Sequence, residues 1–439
     1  MQTEFTLAQL ADPDIADANN ILRKCVHCGL CTATCPTFVI SGDELDSPRG
    51  RIYLIREMLQ TGTFSSKVVH YLDRCLSCLS CTTTCPSGVD YMHLIDYART
   101  TIERKHSRNL ADRLLRKLLL FSLPKPSFFR FVLLSGQLIR PFHAILPGRL
   151  SSLARMIPKS LPRLSKLSVP GRIHKAQGIR QKRVILVTGC AQQVLRPSIN
   201  DATIRLLTRF GCEVIIPQKS VCCGALEHHM GREKSASFAA KANIKAWDAL
   251  NKTNPIDNVV VNTSGCGTMI KDYGWMFRND PKWAKSADEI ATMTVDISQL
   301  ICEMKIAAVH TGKNPVVVYH SACSMQHGQK LETEPIKMLR TAGFKVVGPK
   351  EGHLCCGSAG TYNILQPLTA NKLRQRKLQH LNETEGDVIA TGNIGCLEQL
   401  AQRDGDNVSL PVTHTVELVD WITGGPAPIA IKQWQADKT

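Results

Sequence analysis

The chain has 439 residues, of which 43% are hydrophobic and 21% charged, and its formal net charge is +17. This composition is typical of a folded globular protein and excludes a largely disordered chain. No uncharged apolar stretch approaches the roughly 20 residues of a membrane-spanning helix, and residues 1–20 lack the basic start and apolar run of a secretory signal. We therefore expect a cytoplasmic protein. Its 18 cysteines are interpreted as metal or cluster ligands in preference to disulfides.

Two cysteine runs with the same spacing lie near the N-terminus. Both read C-x2-C-x2-C-x3-C-P, the first from Cys25 to Pro36 and the second from Cys75 to Pro86. This is the spacing of bacterial ferredoxins with two 4Fe–4S clusters, in which the fourth cysteine of each run ligates the other cluster. Four-thiolate zinc sites also use C-x2-C pairs, but they require neither the third cysteine nor the proline. The predicted ligands are Cys25, Cys28, Cys31 and Cys85 for cluster one, and Cys75, Cys78, Cys81 and Cys35 for cluster two.

The residues between the two runs predict an amphipathic helix. Ser47 suits the N-cap position and Pro48 the first helical turn, while Ile52, Ile55 and Leu59 recur at helical spacing. A helix at this place indicates a helical ferredoxin module, which we assign to residues 1–103. The charged residues just before the second run, Asp73 and Arg74, are interpreted as surface charges at a helix end.

Residues 104–183 hold essentially all of the excess positive charge. This segment has 19 lysines and arginines and one acid, Asp112, interleaved with many leucines and phenylalanines. Basic amphipathic helices of this kind bind anionic membrane surfaces, so membrane or partner-subunit docking is one interpretation. A solvated basic linker is another. Nucleic-acid binding is a third, although no nucleic-acid-binding motif accompanies the charge, and we expect no nucleic-acid partner.

The C-terminal half contains an internal repeat. The first cysteine precedes a Cys-Cys-Gly motif by 32 residues in both halves, and the last cysteine follows it by 43 residues in one half and 40 in the other. Each half reads strand, helix, strand and strand again, which predicts two similar α/β units, assigned to residues 184–313 and 314–439. The fold class is therefore α+β multidomain, with a helical ferredoxin module followed by a duplicated α/β cysteine-rich module.

Each repeat places four cysteines where parallel strands end. Since the carboxyl ends of such strands share one edge of the sheet, the loops that carry the thiols converge there. Ligation of a further iron–sulfur cluster, a zinc ion, a redox thiol pair and buried structural thiols all remain open. The two sets are Cys190, Cys222, Cys223 and Cys266 in the first repeat, and Cys323, Cys355, Cys356 and Cys396 in the second.

Other cysteines and histidines accompany these motifs. Cys212 and Cys302 have no counterpart in the other half, so we interpret them as core residues. The histidines near the motifs are interpreted as hydrogen-bonding neighbours of the sites in preference to ligands; they are His228, His229, His320, His327 and His353.

Over nearly its whole length the sequence resembles the iron–sulfur subunits of bacterial glycolate oxidases. The resemblance is carried by Cys25–Pro36, Asp46–Ile52, Arg74–Cys81 and the two Cys-Cys-Gly domains. The same layout occurs in the third subunit of anaerobic glycerol-3-phosphate dehydrogenase, in lactate-utilisation proteins and in heterodisulfide reductase subunits. The last of these close each domain with C-x2-C, whereas this chain has Met269 and Gln399 at that position, which argues against disulfide-reducing chemistry.

The resemblance implies a complex that oxidises glycolate to glyoxylate with FAD on separate subunits. This chain shows no G-x-G-x-x-G fingerprint for FAD or NAD and no acid–base constellation for removing a hydride, so we expect no catalytic residues here. The predicted role is electron transfer from the flavin subunits to a downstream acceptor such as quinone, on the inner face of the cell membrane. The alternatives are the equivalent subunit of a glycerol-3-phosphate or lactate dehydrogenase, and a zinc-stapled interaction scaffold.

Overall fold

A computed structural model describes residues 1–145, 148–304, 313–402 and 410–437, with no side-chain description at 148–150 and 152. The boundary predicted between residues 313 and 314 adjoins residues 305–312, which lie outside the described residues. Within the described part, no helix combines the length and the apolar character that crossing a bilayer requires.

Residues 1–105 form a helical module around a core that includes Leu22, Ile55, Leu72 and Leu94, all fully buried. The predicted helix between the cysteine runs is present, and the hydroxyl of Ser47 caps it by accepting a hydrogen bond from the backbone N–H of Gly50. The helices are α1 (Leu7–Leu10), α2 (Pro13–Arg23), α3 (Leu30–Ala33), α4 (Pro36–Ser41), α5 (Pro48–Thr61), α6 (Ser66–Asp73), α7 (Ser80–Thr84) and α8 (Tyr91–Lys105), with a 3₁₀ turn at Glu44–Asp46.

The basic segment folds mainly into helices that pack on the rest of the chain. Leu119 is buried against Met230 and Leu365, one from each α/β unit. Phe129 and Leu133 pack around Val194 of the first unit. The elements are α9 (Leu110–Ser122), α10 (Pro126–Ile139), a 3₁₀ turn (Arg140–Ile145) and α11 (Gly148–Met156).

The interpretation of Asp73 and Arg74 as surface charges is wrong. The Asp73 carboxylate is largely buried and pairs with Arg108 at 2.6 Å and with Arg116 at 3.1 Å, and Arg74 pairs with the fully buried Asp46 at 2.9 Å. Asp73 therefore attaches the basic segment to the helical module. The linear sequence conceals this role because Asp73 and its partners are brought together only by tertiary packing.

The first α/β unit has a five-stranded sheet in the order β1-β3-β2-β4-β5. Its strands are parallel except for β1, which pairs antiparallel with β3. The strands are β1 (Ile173–His174), β2 (Lys182–Val187), β3 (Cys212–Ile215), β4 (Asn258–Val261) and β5 (Thr294–Asp296). The helices are α12 (Gln192–Leu195), α13 (Pro197–Arg209), α14 (Ala225–His229), α15 (Glu233–Thr253), α16 (Ser264–Lys271), α17 (Tyr273–Met276), α18 (Ala284–Met293) and α19 (Ile297–Glu303).

The second α/β unit repeats the parallel part of this sheet as β7-β6-β8-β9. Its strands are β6 (Val317–Tyr319), β7 (Val346–Val347), β8 (Val388–Thr391) and β9 (Val412–His414). Its helices are α20 (Glu334–Thr341), α21 (Tyr362–Leu365), α22 (Pro367–Asn382), α23 (Ile394–Ala401), α24 (Thr415–Ile422) and α25 (Ile429–Ala436), with a π turn at Ser324–Gly328. The predicted duplication of a parallel α/β unit is therefore confirmed.

The two α/β units share one hydrophobic core. Val184 and Val260 of the first sheet lie in the same buried apolar cluster as Val317 and Val388 of the second. At its rim the fully buried Asp420 of α24 pairs with two arginines of α13. The loops at the carboxyl ends of the two sheets contact each other, since Nδ2 of Asn393 donates to the hydroxyl of Ser264 at 3.0 Å.

Candidate iron–sulfur and metal centres

The two ferredoxin-like loops have the same unusual backbone. In the first loop His27 and Gly29 have φ values of 56° and 78°, and in the second the equivalent Ser77 and Leu79 have 49° and 63°. Left-handed backbone is disfavoured for residues with a side chain. A Cβ at Gly29 would also lie 2.7 Å from a guanidinium nitrogen of Arg49. The loops therefore adopt a strained turn twice, at the positions that separate their cysteines.

The first loop surrounds a cavity with the thiols predicted for cluster one. Cys25, Cys28 and Cys31 line it from the loop itself, and Cys85 lines it from the end of the second run. The Cys28 side chain is exposed, so this cavity lies near the protein surface. The structure brings together the residues that the spacing predicts, and thiol donors around one cavity suit a 4Fe–4S cluster.

The second loop forms the matching cavity deeper in the protein. It is lined by Cys75, Cys78 and Cys81 from this loop and by Cys35 from the first run. Burial raises the pKa of the Cys78 and Cys81 thiols well above the ordinary range, so uncompensated thiolates here are costly. A metal centre would remove this cost, because binding of a cluster replaces the thiol proton.

Polar groups surround the sulfur atoms of the second cavity. Nη1 of Arg51 donates to the Sγ of Cys35 at 3.8 Å, and the hydroxyl of Tyr91 donates to the Sγ of Cys75 at the same distance. The backbone N–H of Ser77 also donates to Cys75, at 3.5 Å. Hydrogen bonds to cluster sulfurs raise the reduction potential by stabilising the more negative, reduced state. Sequence reasoning missed Arg51 and Tyr91 as neighbours of the thiols; the repeated basic residues of the Arg49–Arg51 segment were the available signal.

In the first Cys-Cys-Gly domain the four predicted cysteines meet at the carboxyl edge of the sheet. The Sγ atoms of Cys190 and Cys222 lie 3.5 Å apart. Cys223 is in hydrogen-bonding contact with Cys222 and with Cys266. The loop is held from behind by Tyr273, whose hydroxyl donates to the carbonyl of Cys223 at 2.8 Å.

In the second domain the equivalent thiols form a continuous set of contacts. Cys355 is in hydrogen-bonding contact with Cys323 and Cys356, and Cys356 with Cys396. His320 joins them: one of its ring nitrogens and the Sγ atoms of Cys356 and Cys396 all lie within 4.8 Å of one another. Burial lowers the pKa of His320 to about 3, so the ring is neutral. Neither ring nitrogen has a hydrogen-bond partner among the described residues, so the interpretation of His320 as a hydrogen-bonding neighbour stays a prediction.

The glycine of each Cys-Cys-Gly motif is required by its surroundings. Gly357 has a φ of 87°, and a Cβ there would lie 2.5 Å from the carbonyl oxygen of Ala370. Gly224 repeats this in the first domain, with a φ of 88° and the carbonyl oxygen of Ala236 3.1 Å from the Cβ position. Only glycine adopts this backbone with a helix so close.

One central cavity of about 280 Å³ joins three of these sites. Thiols of cluster site two and of both Cys-Cys-Gly domains line it; they are Cys75, Cys78, Cys190, Cys222, Cys223, Cys266, Cys323, Cys355 and Cys396. Cys78 also lies in one apolar cluster with Cys323 and Cys355. The sequence carries no signal for this junction, because it depends on how the helical module packs on the α/β units.

Ion pairs and hydrogen bonds hold the helical module in this position. His93 bridges Asp90 at 2.5 Å and Asp272 of the first α/β unit at 2.9 Å. Burial would raise the pKa of Asp96, but His228 and His229 of the same unit bring it well below its usual range. The ring of His228 lies 3.2 Å and that of His229 3.6 Å from the Asp96 carboxylate, so both histidines contribute to the module interface.

The remaining two histidines lie in the second unit. The Nδ1 of His327 lies 2.8 Å from the hydroxyl of Thr83, so it is a polar neighbour at the module interface. The carbonyl of His353 lies 3.4 Å from the other ring nitrogen of His327. Neither contact places these imidazoles in the thiol sets.

Comparison with known proteins agrees with these sites. The family model of the 4Fe-4S dicluster domain matches residues 21–89, and that of the cysteine-rich domain matches residues 184–271 and 317–401. The chain is 38% identical over 421 residues to the glycolate oxidase iron–sulfur subunit of Escherichia coli strain K12, covering 96% of this chain and 98% of that protein. This chain belongs to the glycolate oxidase iron–sulfur subunit family.

Two further relatives are also similar to this chain. The probable glycolate oxidase iron–sulfur subunit of Bacillus subtilis strain 168 is 30% identical, covering 91% of this chain and 93% of that protein. Lactate utilization protein A of Geobacillus thermodenitrificans is 28% identical over 54% of this chain and 98% of that protein. The predicted resemblance is confirmed, and the chain is an electron-transferring iron–sulfur component of a multi-subunit oxidoreductase.

A solved structure shares the fold of this family member. The crystal structure of a hypothetical protein from Helicobacter pylori matches with a TM-score of 0.54 at 11% identity, covering 98% of this chain and 75% of that one. At this identity the match describes the fold alone. The 4Fe-4S domain match favours iron–sulfur clusters over zinc in the helical module.

Proposed function

We propose that this chain relays electrons from FAD on partner glycolate oxidase subunits to a membrane-dissolved quinone, and that it is not catalytic by itself. Its ligands would be Cys25, Cys28, Cys31 and Cys85 at one 4Fe–4S cluster, and Cys75, Cys78, Cys81 and Cys35 at the other. Bound there, such clusters supply one-electron chemistry between a two-electron flavin and its acceptor. The remaining eight thiols of the Cys-Cys-Gly domains would bind further clusters or metal.

The observation that best supports this proposal is the different exposure of the two ferredoxin-like sites. The first site lies near the surface, and the second lies further inside the protein. Cys28 of the first site is exposed, whereas the second site adjoins the central cavity. Beside Cys28, Val26 and Leu30 are 66% and 55% exposed, and Tyr53 is 45% exposed. Exposed apolar groups around a surface redox site suit a docking face for a flavoprotein subunit. Electrons would enter at this face and leave from the cavity.

The exit side is supported by the position of the basic segment. Arg116 and Leu123, which belong to α9 or follow it directly, line the central cavity. The outer faces of α9 and α10 expose large apolar side chains, among them Leu110 (82%), Leu114 (70%) and Leu138 (77%). Apolar side chains among arginines and lysines suit an anionic membrane surface, where each cation contributes about 1 kcal/mol. The same helices would then bring the cavity to the layer in which quinone dissolves.

In this proposal the four predicted segments have separate tasks. Residues 1–103 receive electrons and residues 104–183 dock on the inner face of the membrane. Residues 184–313 and 314–439 hold metal around the cavity. Glycolate is favoured as the substrate of the complex because the glycolate oxidase relatives match nearly the whole chain, whereas the lactate utilization relative matches 54% of it.

The proposal is tested with the complex of this chain and its flavoprotein subunits, purified anaerobically. Glycolate is expected to bleach the cluster absorbance and to produce the electron paramagnetic resonance signal of reduced 4Fe–4S clusters. Cys28→Ser would abolish this reduction and lower the iron content by about four atoms per chain. Cys212→Ser, which changes a buried thiol outside the sites, is the matched control. An iron-free wild-type chain, or glycolate oxidation by the chain without flavoprotein, would overturn the proposal.

A further inference from the structure

The two Cys-Cys-Gly sites differ by one donor. In the first sheet Ile185 pairs with Val259, and in the second Val318 pairs with Ile389. Cys190 and Cys323 each precede their Cys-Cys pair by 32 residues, so Val187, three residues before Cys190, is the counterpart of His320, three residues before Cys323. Thus the second site has an imidazole where the first has an aliphatic side chain.

The environment of His320 is that of a ligand without its metal. The side chain is fully buried, and neither ring nitrogen has a hydrogen-bond partner among the described residues. Leaving a buried polar group unpaired costs about 1–3 kcal/mol, so native proteins rarely do so. The N–H of His320 donates to the carbonyl of Ala390 at 2.9 Å, which fixes the backbone that carries the ring.

The spacing of the donors suits a single ion. A ring nitrogen of His320 and the sulfurs of Cys356 and Cys396 all lie within 4.8 Å of one another. Around tetrahedral zinc, with bonds of about 2.0 Å to nitrogen and 2.3 Å to sulfur, ligand atoms lie about 3.5–3.8 Å apart. In a cubane cluster each iron takes one protein ligand, so the ligands lie around the outside of a larger body. Zinc accepts both thiolate and imidazole ligands in tetrahedral sites.

We propose that the second Cys-Cys-Gly domain binds one zinc ion through His320, Cys356 and Cys396, with the Cys323–Cys355 pair supplying the fourth ligand. Charge supports this set. Three thiolates and a divalent zinc carry a net charge of −1. Burial lowers the pKa of Lys377, whereas negative charge on Cys323, Cys356 and Cys355 raises it, so this lysine is electrostatically coupled to the thiol set. Lys377 is held there by donating to the carbonyl of Glu351 at 2.6 Å.

This inference rests on the proposed function only in assigning the Cys-Cys-Gly thiols to metal. Zinc has no redox chemistry, so the second domain would stabilise the wall of the central cavity and would not carry electrons. The redox-active path would then end at cluster site two and the first Cys-Cys-Gly domain. The two repeats would thus have different tasks despite their common fold.

The test measures metal on the anaerobically purified full chain. Wild type is expected to hold about one zinc, and zinc X-ray absorption is expected to show one nitrogen and three sulfur ligands. His320→Ala would lose most of the zinc during dialysis against a chelator and would keep its iron. His320→Cys would retain zinc with four sulfur ligands. His327→Ala, a buried histidine of the same domain outside the thiol set, would resemble wild type.

Several outcomes separate this inference from the proposed function. A wild-type chain without zinc, a His320→Ala chain that retains zinc, or a zinc spectrum without nitrogen would overturn the inference. Loss of iron in place of zinc from His320→Ala would also overturn it and would indicate a cluster. Zinc without iron in wild type would overturn the proposed function and leave the inference standing. If His320→Ala does not fold, the zinc spectrum of wild type and the zinc content of His320→Cys still test the inference.

Discussion

The guanidinium of Arg51 donates a hydrogen bond to the sulfur of Cys35 at 3.8 Å. Arg51 is fully buried, and its other Nη atom donates to the carboxylate of Asp46 at 3.1 Å. A second guanidinium, that of Arg74, reaches the same carboxylate at 2.9 Å without contacting Cys35 in the hydrogen-bond network. A positive charge is therefore held beside one predicted ligand of cluster two.

Replacing Arg51 is expected to lower the reduction potential of cluster two. Arg51→Met removes a cation that stabilises the reduced cluster more than the oxidised one, whereas Arg51→Lys keeps the charge. An electrostatic effect of about 1.4 kcal/mol corresponds to about 59 mV for one electron, which is the size of decrease we expect for Arg51→Met. Redox titration followed by electron paramagnetic resonance measures it.

The matched control for this prediction is Arg74→Met. It also removes a partner of Asp46 but leaves the contact with Cys35 in place, so a smaller shift is expected. Equal shifts in Arg51→Met and Arg74→Met would mean that the hydrogen bond to Cys35 has no separate effect.

The interface between the helical module and the first α/β unit, to which His93 contributes, is expected to weaken at alkaline pH. Burial by itself would lower the pKa of His93, but Asp272 and Asp90 outweigh it and raise the pKa to about 9. Because the folded-state pKa exceeds the unfolded one, the stabilisation is fully present below about pH 6.5 and is lost as the pH rises through 9. The full contribution of His93 to the free energy of unfolding is about 3 kcal/mol.

Thermal unfolding of wild type and His93→Gln from pH 6 to pH 10 checks this prediction. The gap between their melting temperatures is expected to be widest below pH 6.5 and to close above pH 9. A gap that stays constant across this range would show that His93 acts through packing and not through its charge.

Membrane docking by α9 and α10 predicts sensitivity to charges on their outer faces. Leu114→Glu and Leu138→Glu together are expected to reduce binding to vesicles containing phosphatidylglycerol by at least about tenfold, since each leucine contributes about 1.5–3 kcal/mol when buried. Co-sedimentation measures the binding. The control is Phe238→Glu, at a 77% exposed position in the first α/β unit. Equal binding by the double variant and the control would exclude docking through these helices.

The Cys-Cys-Gly backbone predicts a specific intolerance of side chains. Gly357→Ala forces a Cβ into a left-handed residue 2.5 Å from the carbonyl of Ala370, so we expect a destabilisation of about 1–3 kcal/mol and weaker metal retention in the second domain. Gly348→Ala is the control, since a Cβ there has nothing within 4 Å. Differential scanning calorimetry and metal analysis of both variants test this. Two variants with the same melting temperature and metal content would contradict it.

The linear sequence determined the features that depend on nearby residues. The spacing of each cysteine run, the cap at Ser47 and the repeated strand–helix–strand pattern are local, because loop closure, capping and sheet pairing each involve short segments with recognisable residue types. From these alone the helical module, the duplicated parallel sheet and the convergence of each thiol set could be predicted. Cys85 was assigned across 54 residues from Cys31 only because the ferredoxin spacing is known to exchange its fourth ligand.

Tertiary structure alone decided how the sites meet. Cys78 lies with Cys323 and Cys355 because the helical module packs on the edge of the second sheet, and Asp73 is buried because arginines from the basic segment fold back onto it. His320 becomes a candidate ligand for the same reason, since its distance from Cys356 and Cys396 depends on the pairing of β6 with β8. Such contacts follow from the packing of whole surfaces over many residues, and no single stretch of sequence encodes them.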